Sequence, residues 1–270
     1  MTNKFQYWQE RKNKIVSHTG GWKIGEGVFC HGFSMMDDLV GKKSYMQVLI
    51  LNATGKLVSE NLAKWFEAVF ICLSWPDPRI WCNHIGALGG SYRNSIVAST
   101  CAGILAADSR TYGSRPILEG VDFIKRAVEF KTKSEDIESF VKLELKKTRG
   151  KPQFMGYARP ITKGDERIIA MEPFTKSLGF DFGEHMEAAY EIEEILIRDF
   201  NEGMNINGYV SAFLADQGIS PEEAYSIFTI VVNSGVLACY LDSSHQSQGA
   251  FLPIACGDIE YIGKPKRSIE

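Results

Sequence analysis

One histidine, His84, lies close in sequence to two side chains of opposite charge. Asp77 and Arg79 belong to the segment SWPDPRIW, and His84 follows it, just before the glycine-rich stretch Gly86 to Gly90. An imidazole can accept or donate a proton near neutral pH, and a charged neighbour can orient its ring. We therefore predict His84 as an acid or base, oriented by Asp77 and Arg79. The alternative interpretation is a buried histidine with a structural role.

Other groupings of reactive residues lack the spacing that their chemistry requires. Gly86 to Gly90 offer backbone N–H groups to an anion, but no Lys-Ser or Lys-Thr pair follows, and close helix packing explains these glycines better. Asp242 to His245 contain serine and histidine without a G-x-S-x-G turn. An acidic helical face lacks the Glu-x-x-His order of di-iron sites, so we predict a solvated surface and no metal. This face consists of Glu184, Glu187, Glu191 and Glu194.

The composition is that of a folded protein with nearly balanced charge. The 270 residues include 30 Lys and Arg against 33 Asp and Glu, which gives a net charge of −3. Without an excess of positive charge, nucleic acid is not an expected partner. Segment 1–14 lacks the apolar core of a secretory signal, so we expect a cytoplasmic protein. The apolar stretch Ile96 to Ala107 is shorter than the roughly 20 residues of a membrane span. It predicts a buried helix and no membrane partner.

Cap and turn signals predict a chain made mostly of helices. Ser59 can cap a helix from Glu60 to Leu73, and Ser220 with Glu223 forms a capping box for a helix from Pro221 to about Leu241. The glycine-rich segment 18–32 predicts a small hairpin, and Gly86 to Gly90 predict a bend. The predicted class is all-α with one small β-hairpin.

Five segments, taken in chain order, carry a resemblance to one known family. They are HGFSMMDDLVGKKSYMQVLILNATGKL (31–57), SWPDPRIWCNHIGALGG (74–90), MGYARPITKGDERI (155–168), NINGYVSAFLADQGIS (205–220) and CGDIEYIGKPKR (256–267). Together they resemble the citrate synthase superfamily, most closely its short citryl-CoA lyase and citrate synthase-like members. The resemblance implies a two-domain helical fold. Its large domain would comprise 1–115 and 205–270, and a small inserted domain, 116–204, would close over substrate.

The resemblance also implies an active site in which the usual catalytic side chains are replaced. In the synthases an aspartate takes a proton from acetyl-CoA, and two histidines polarise the substrate oxygens. Asn207 stands in place of the aspartate and Arg159 in place of one histidine. No histidine occurs near Tyr112 to Pro116, where the other is expected. An amide is not a general base, and a guanidinium binds anions without relaying a proton. Ordinary citrate synthesis is therefore not expected.

Arginines are the second group that the resemblance implies at the substrate cleft. Arg167 has a counterpart among the arginines that hold oxaloacetate, whereas Val232 and Leu252 stand in place of two others. Arg79 and Arg115 are further predicted substrate contacts, since guanidinium groups bind carboxylates and phosphates in a bidentate way. The alternative for arginines on such turns is a salt bridge between helices.

Two hypotheses of different classes follow from these residues. The first is an enzyme that makes or breaks a carbon–carbon bond between an acyl-CoA and a small organic acid, with His84, Arg159 and Asn207 at its catalytic site. The second is a catalytically inactive homologue that binds CoA or an organic acid and serves regulation. The resemblance implies coenzyme A, bound as a thioester. The first hypothesis includes a homodimer with helix 95–108 in its core, and under the second the chain could be a partner subunit of an active enzyme.

Overall fold

Helices form nearly all of the regular structure in the computed structural model, which describes residues 4–133, 136–159 and 164–269. A sheet consists of β1 (Gly20–Lys23), β2 (Gly27–Cys30) and β3 (Phe33–Ser34). In chain order the helices are α1 (Lys4–Arg11), α2 (Tyr45–Thr54), α3 (Glu60–Leu73), α4 (Trp81–Ser91), α5 (Ile96–Ala107), α6 (Arg115–Thr132), α7 (Ile137–Lys147), α8 (Glu166–Ser177), α9 (Glu184–Phe200), α10 (Ile206–Asp216), α11 (Pro221–Ile227) and α12 (Asn233–Ser244). The predicted class, all-α with a small β-hairpin, is confirmed.

The predicted hairpin is formed by β1 and β2. The two strands are antiparallel, and Gly20 pairs with Cys30 and Trp22 with Val28. Gly25 and Gly27 at the turn have φ of 81° and 129°, a backbone region that glycine adopts without a steric penalty. The short strand β3, which the sequence analysis did not predict, pairs with β2 on its other edge.

The chain divides into two compact units. The first comprises Met1–Leu73 and Asp108–Val231, and the second comprises Ser74–Ala107 and Val232–Glu270. The first unit therefore contains the sheet, α1 to α3 and α6 to α11, and the second contains α4, α5 and α12. The predicted domain boundaries near residues 115 and 205 do not coincide with the boundaries of these units. The predicted division into a large and a small domain stays a prediction.

Aromatic stacking and a buried chain of hydrogen bonds hold the core of the first unit together. Trp65 of α3 stacks on Phe213 of α10 with ring centroids 3.9 Å apart. The Trp65 indole Nε1 donates to Thr175 Oγ1 of α8 at 2.9 Å, and that hydroxyl lies 2.8 Å from the Tyr209 hydroxyl of α10. All four side chains are buried. Because each buried polar atom has a partner, α3, α8 and α10 are fixed in mutual register.

Close helix packing defines the second unit, and it overturns one prediction. The predicted bend at Gly86 to Gly90 is wrong, because these residues lie inside α4. A Cβ atom at Gly86 would lie 2.6 Å from the Val236 carbonyl oxygen of α12, and one at Gly90 would lie 2.1 Å from the Tyr240 carbonyl oxygen. The glycines therefore let two helix backbones approach each other, which is the packing alternative, and this contact outweighs the low helix propensity of glycine.

Helix α5 is present as predicted, but its predicted burial is wrong. Val97 and Leu105 are 68% and 77% exposed, although Gly103 packs so closely on Val236 that a Cβ atom would lie 2.4 Å from its side chain. One face of α5 is therefore packed and the other is an exposed apolar surface. The hydroxyls of Ser99 and Thr100 are buried without a hydrogen-bond partner in the described structure.

The helix predicted from Pro221 to about Leu241 begins as expected and is then interrupted. Ser220 and Glu223 form the predicted capping box at the start of α11. A 3₁₀ turn at Phe228–Ile230 follows α11, and α12 begins at Asn233. By length and composition alone the segment Pro221–Ser244 would suffice to cross a membrane, a property that core helices share, and 44% of its most apolar window is buried in the protein.

Candidate functional site

Asp165 lies at the junction of two helix N-termini in the first unit. It is the N-cap of α8, where its carboxylate accepts from the backbone N–H of Arg167 at 3.1 Å. Its other oxygen accepts from the backbone N–H of Ile206, the first residue of α10, at 2.8 Å. The side chain is fully buried. One carboxylate thus satisfies N–H groups at the starts of two helices, where partial positive charge accumulates.

Arg167 clamps this carboxylate from the side. Its Nε donates to Asp165 Oδ1 at 2.7 Å, and its Nη2 donates to Oδ2 at 2.6 Å. The guanidinium also donates to the Cys72 carbonyl oxygen at the end of α3, at 3.4 Å. Arg167 is therefore engaged with an internal carboxylate in the bidentate geometry that was predicted for a substrate acid.

Arg159 has two acidic neighbours with very different exposure. Its Nη1 donates to Glu166 Oε2 at 2.5 Å, and its Nη2 donates to Oε1 at 3.1 Å. The same Nη1 lies 3.6 Å from Asp165 Oδ1. The Arg159 side chain is only 11% exposed, whereas that of Glu166 is 68% exposed. Arg159 is therefore held from inside by Asp165 and covered from outside by Glu166.

A tight turn before Arg159 places it against the start of α10. Gly156 and Ala158 have φ of 91° and 64°, and Ala158 is in a conformation that residues with a side chain seldom adopt. Asn205, the N-cap of α10, donates from its amide to the Ala158 carbonyl oxygen at 2.7 Å. The turn approaches α10 so closely that a Cβ atom at Gly156 would lie 2.5 Å from the Gly208 Cα. Residues 160–163 of the same segment lie outside the described residues.

Asn207, predicted as a catalytic position, makes structural hydrogen bonds with both side-chain atoms. Its Nδ2 donates to the Pro116 carbonyl oxygen in the first turn of α6 at 2.9 Å. Its Oδ1 accepts from the Ser211 hydroxyl at 3.4 Å. The amide thus ties α10 to α6 next to Gly120, whose Cβ, if present, would lie 3.2 Å from Asn207 Nδ2.

Arg115, predicted as a substrate contact, is the first residue of α6 and is largely exposed. Its Nε lies 3.2 Å from Glu119 Oε1 one helical turn later, and the arginine side chain is 61% exposed. The preceding residue, Ser114, donates to Asp108 Oδ1 at 3.3 Å. Asp108 also accepts from the Tyr225 hydroxyl at 2.7 Å, so this loop is anchored to α11.

The remaining predicted residues, His84 and Arg79, belong to the second unit. Arg79 makes a bidentate bond to Asp77, with distances of 2.6 to 3.1 Å, and its side chain is 86% exposed. The His84 Nδ1 lies 3.1 Å from the Pro78 carbonyl oxygen, and its ring packs edge-on against Phe251. The expected orientation of His84 by Asp77 and Arg79 is wrong within the described structure, because these two bond to each other and a carbonyl holds the imidazole. In the neutral ring this bond places the proton on Nδ1 and leaves Nε2 as an acceptor.

The two carboxyl groups beside Arg159 have pKa values below their ordinary values. Burial raises the pKa of Asp165, but the hydrogen bonds and charge of Arg167 outweigh it and hold the pKa below its ordinary value. The hydrogen bonds of Arg159 lower the pKa of Glu166 to about 2. Both groups are therefore ionised at neutral pH, and a carboxylate of such low pKa is a weak general base.

The acidic face of α9 does not form a metal centre in the part of the chain that the structure describes. Glu191 is paired with Lys131 of α6 at 2.5 Å. Among residues 4–133, 136–159 and 164–269, no three His, Cys, Asp or Glu side chains are grouped so that they could hold a metal ion.

The overall architecture is shared with solved structures. Over 95% of this chain and 97% of the other, it superposes on the citryl-CoA lyase of Hydrogenobacter thermophilus with a TM-score of 0.78 and 22% sequence identity. This chain has the citrate synthase fold. The ATP citrate lyase of Methanothrix soehngenii, solved with citrate and coenzyme A, matches with a TM-score of 0.76 and 19% identity over all of this chain and 46% of its own.

The structure of this chain also matches that of a citrate synthase. The citrate synthase of Thermoplasma acidophilum, solved with carboxymethyl coenzyme A and oxaloacetate, matches with a TM-score of 0.59 and 14% identity over 84% of this chain and 59% of its own. No protein-family model matches the sequence, and no curated protein is significantly similar to it in sequence. The predicted resemblance to the citrate synthase superfamily is thus confirmed at the level of the fold.

The site contains residues that the sequence analysis did not single out. Asp165, Glu166 and Asn205 hold Arg159, Arg167 and the start of α10 in place. A signal was present for Asp165, since an aspartate directly before a helical segment is a typical N-cap. The partners of Asn205 and Glu166 depend on the turn around Ala158, which has no comparable sequence signal.

Proposed function

We propose that this chain binds a coenzyme A thioester together with a small organic acid. These are the reactants of CoA-dependent carbon–carbon bond chemistry. The proposal is supported by the end-to-end match to a citryl-CoA lyase fold and by the arginines around Asp165. Guanidinium groups bind the carboxylates of organic acids and the phosphates of CoA. Arg115, exposed at the start of α6, is a further candidate contact for such an anion.

Within this chemistry the geometry favours a binding or regulatory homologue over a working lyase or synthase. The observation that carries this conclusion is the position of Asn207, whose amide is bonded to the Pro116 carbonyl oxygen and to Ser211. The resemblance places a catalytic aspartate there. An amide has no titratable proton near neutral pH, and this one is committed to joining two helices. Arg159, in place of a catalytic histidine, can bind an oxyanion but cannot relay a proton.

A second candidate function is an enzyme with a rebuilt catalytic site, and His84 favours it. The Pro78 carbonyl fixes the imidazole so that Nε2 is the accepting nitrogen of the neutral ring. An oriented imidazole of this kind is suited to general base catalysis. Under this candidate, His84→Ala would abolish turnover and leave the binding of CoA unchanged.

We further propose that the chain forms a homodimer through α5. Val97 and Leu105 are exposed apolar side chains on a helix that is packed on Val236 through Gly103. Burial of these side chains against a second copy would remove apolar area from water, which contributes about 25 cal/mol per Å². The small residues of α5 allow close approach of the partner helix.

The binding proposal is tested by calorimetry and thermal shift on the purified protein with CoA, acetyl-CoA, citrate and oxaloacetate. We expect saturable binding of a CoA thioester, and weaker binding of an organic acid in Arg167→Ala than in the unchanged protein. Arg198→Ala is the matched control, because Arg198 is 55% exposed and is paired with Glu138 and Asp199, outside the cluster around Asp165. Absence of binding for every CoA compound would refute the proposed function.

A further inference from the structure

The contact between Arg159 and Glu166 has the geometry of a bound ligand. The two guanidinium nitrogens each face one carboxylate oxygen, at 2.5 and 3.1 Å. This parallel pair of hydrogen bonds is the arrangement that a planar external carboxylate would make with the same arginine. Glu166 therefore occupies the position that a carboxylate ligand of Arg159 would take.

The two partners differ in how firmly they are held. The Arg159 side chain is 11% exposed and also lies 3.6 Å from the fully buried Asp165. The Glu166 side chain is 68% exposed, so its carboxylate can swing into water and regain full hydration. Displacement of Glu166 thus loses only the small free energy of an exposed ion pair. Displacement of Arg159 would instead leave buried Asp165 with one partner fewer.

Local charge defines the class of ligand that can replace Glu166. Arg159 and Arg167 carry two positive charges, and Asp165 and Glu166 carry two negative charges. Without Glu166, Asp165 is the one carboxylate among the described residues that is paired with the two arginines, at 3.6 Å from Arg159 and 2.6 Å from Arg167. The cluster then has an excess of one positive charge, which a single carboxylate group of an incoming ligand would neutralise.

From this arrangement we propose that Glu166 is an intramolecular gate. Its carboxylate competes with the carboxylate of an organic acid for the guanidinium of Arg159. This inference rests on the proposed function and deepens it, because it names the group of the acid that is recognised and the residue that regulates its access. The strained turn at Ala158, anchored by Asn205, keeps Arg159 in place when Glu166 leaves.

The test is the affinity for citrate, measured by titration calorimetry on the unchanged protein and on Glu166→Gln. When an internal partner competes, the apparent affinity equals the intrinsic affinity multiplied by the fraction of molecules whose site is open. We therefore expect citrate to bind about fivefold more tightly to Glu166→Gln than to the unchanged protein. Asp199→Asn is the matched control, since it releases Arg198 from a comparable two-point pair, and Arg198 is not a candidate ligand contact, so citrate affinity should stay unchanged. Adding Arg159→Lys to Glu166→Gln should remove the gain, because lysine lacks the bidentate fork.

Each other outcome would overturn the gate and leave the proposed function separately testable. Equal citrate affinity for the unchanged protein and Glu166→Gln would refute the gate, while CoA binding in the same samples would keep the proposed function. A gain for inorganic phosphate and free CoA but not for citrate would refute the assignment to a carboxylate. Failure of both proteins to bind citrate would also refute the gate. Failure to bind CoA in addition would remove the proposed function with it.

Discussion

The carboxylate of Asp165 accepts a hydrogen bond from the backbone N–H of Ile206, 41 residues later in the chain, at 2.8 Å. The same carboxylate caps α8 and binds the Arg167 guanidinium at two points. It also lies 3.6 Å from Arg159. A single buried acid therefore fixes two helix starts and both arginines of the candidate site.

We predict that Asp165→Ala lowers the free energy of unfolding by about 3 kcal/mol, because it leaves mostly buried arginines without their carboxylate. Urea unfolding at pH 7 measures this loss. Asp122→Ala is the control, because Asp122 is 55% exposed and pairs with the exposed Arg126. We expect this control to lose less than about 1 kcal/mol. Equal losses in the two variants would contradict the central role of Asp165.

The approach of the Arg159 turn to α10 predicts a strong effect of a single methyl group. In Gly156→Ala the new Cβ would lie 2.5 Å from Gly208 Cα, and the φ of 91° is itself unfavourable. We expect a loss of about 3 kcal/mol in thermal or urea unfolding. Gly150→Ala has a similar φ of 79° but open space around the site, so it should lose only about 1 kcal/mol. Comparable losses would show that packing on Gly208 is unimportant.

The structural role of Asn207 predicts that an acid at this position destabilises the fold. In Asn207→Asp an oxygen replaces Nδ2 opposite the Pro116 carbonyl oxygen, and two acceptors then face each other. We expect a loss of about 2 kcal/mol in the free energy of unfolding. Asn52→Asp, where the side-chain oxygen accepts from the half-buried Cys30 thiol at 3.1 Å, should change stability by less than about 0.5 kcal/mol. An Asn207→Asp variant as stable as the unchanged protein would contradict the structural role.

A second buried aspartate predicts how stability depends on pH. Burial raises the pKa of Asp216, but hydrogen bonds from the His185 side chain and from the backbone of His185 and Gly183 outweigh it, and the pKa lies below its ordinary value. Because the folded pKa is lower than the unfolded pKa of about 3.9, the carboxylate stabilises the fold fully above that pH. This stabilisation disappears as the pH falls through the folded pKa.

The test is the free energy of unfolding of Asp216→Asn and of the unchanged protein, measured at a series of pH values from 7 to 3. The variant should be about 2 kcal/mol less stable at pH 7, and the difference should shrink toward pH 3. Asp181→Asn is the control, because Asp181 is exposed in the loop before α9. Its difference in stability from the unchanged protein should not shrink toward pH 3. A difference that stays constant over the whole pH range would refute the assignment.

The exposed face of α5 predicts concentration-dependent association. Leu105→Glu should shift the protein from dimer to monomer in sedimentation velocity experiments, because a charge would be buried in the contact. Ile71→Glu is the control, since Ile71 is equally exposed, at 72%, but lies on α3. A monomeric unchanged protein, or a dimer that survives Leu105→Glu, would contradict the proposed interface.

Local signals in the sequence predicted those parts of the fold that depend on neighbouring residues. The helix Glu60–Leu73 has the predicted ends, and the Ser220 capping box is present. Gly86 to Gly90 misled the prediction, because their place in α4 is decided by contact with Val236 and Tyr240 of α12, far away in sequence. The 3₁₀ turn at Phe228–Ile230 contains no glycine or proline from which it could have been predicted.

The candidate site shows the same limit for side chains. The sequence indicated Arg159, Arg167 and Asn207, and it left open whether the arginines bind substrate or close salt bridges. The structure pairs Arg167 with Asp165 and Arg159 with Glu166. The bond from Asn207 to the Pro116 carbonyl oxygen spans 91 residues, so only the packing of α10 on α6 reveals it.

We propose that the chain binds a CoA thioester without turning it over. The most direct measurement is mass spectrometry of the purified protein incubated with citryl-CoA, and separately with acetyl-CoA and oxaloacetate, after binding has been established by calorimetry. We predict bound thioester and no change in the amount of any substrate. Product formation that is lost in Arg159→Ala would contradict binding without turnover and establish a rebuilt enzyme.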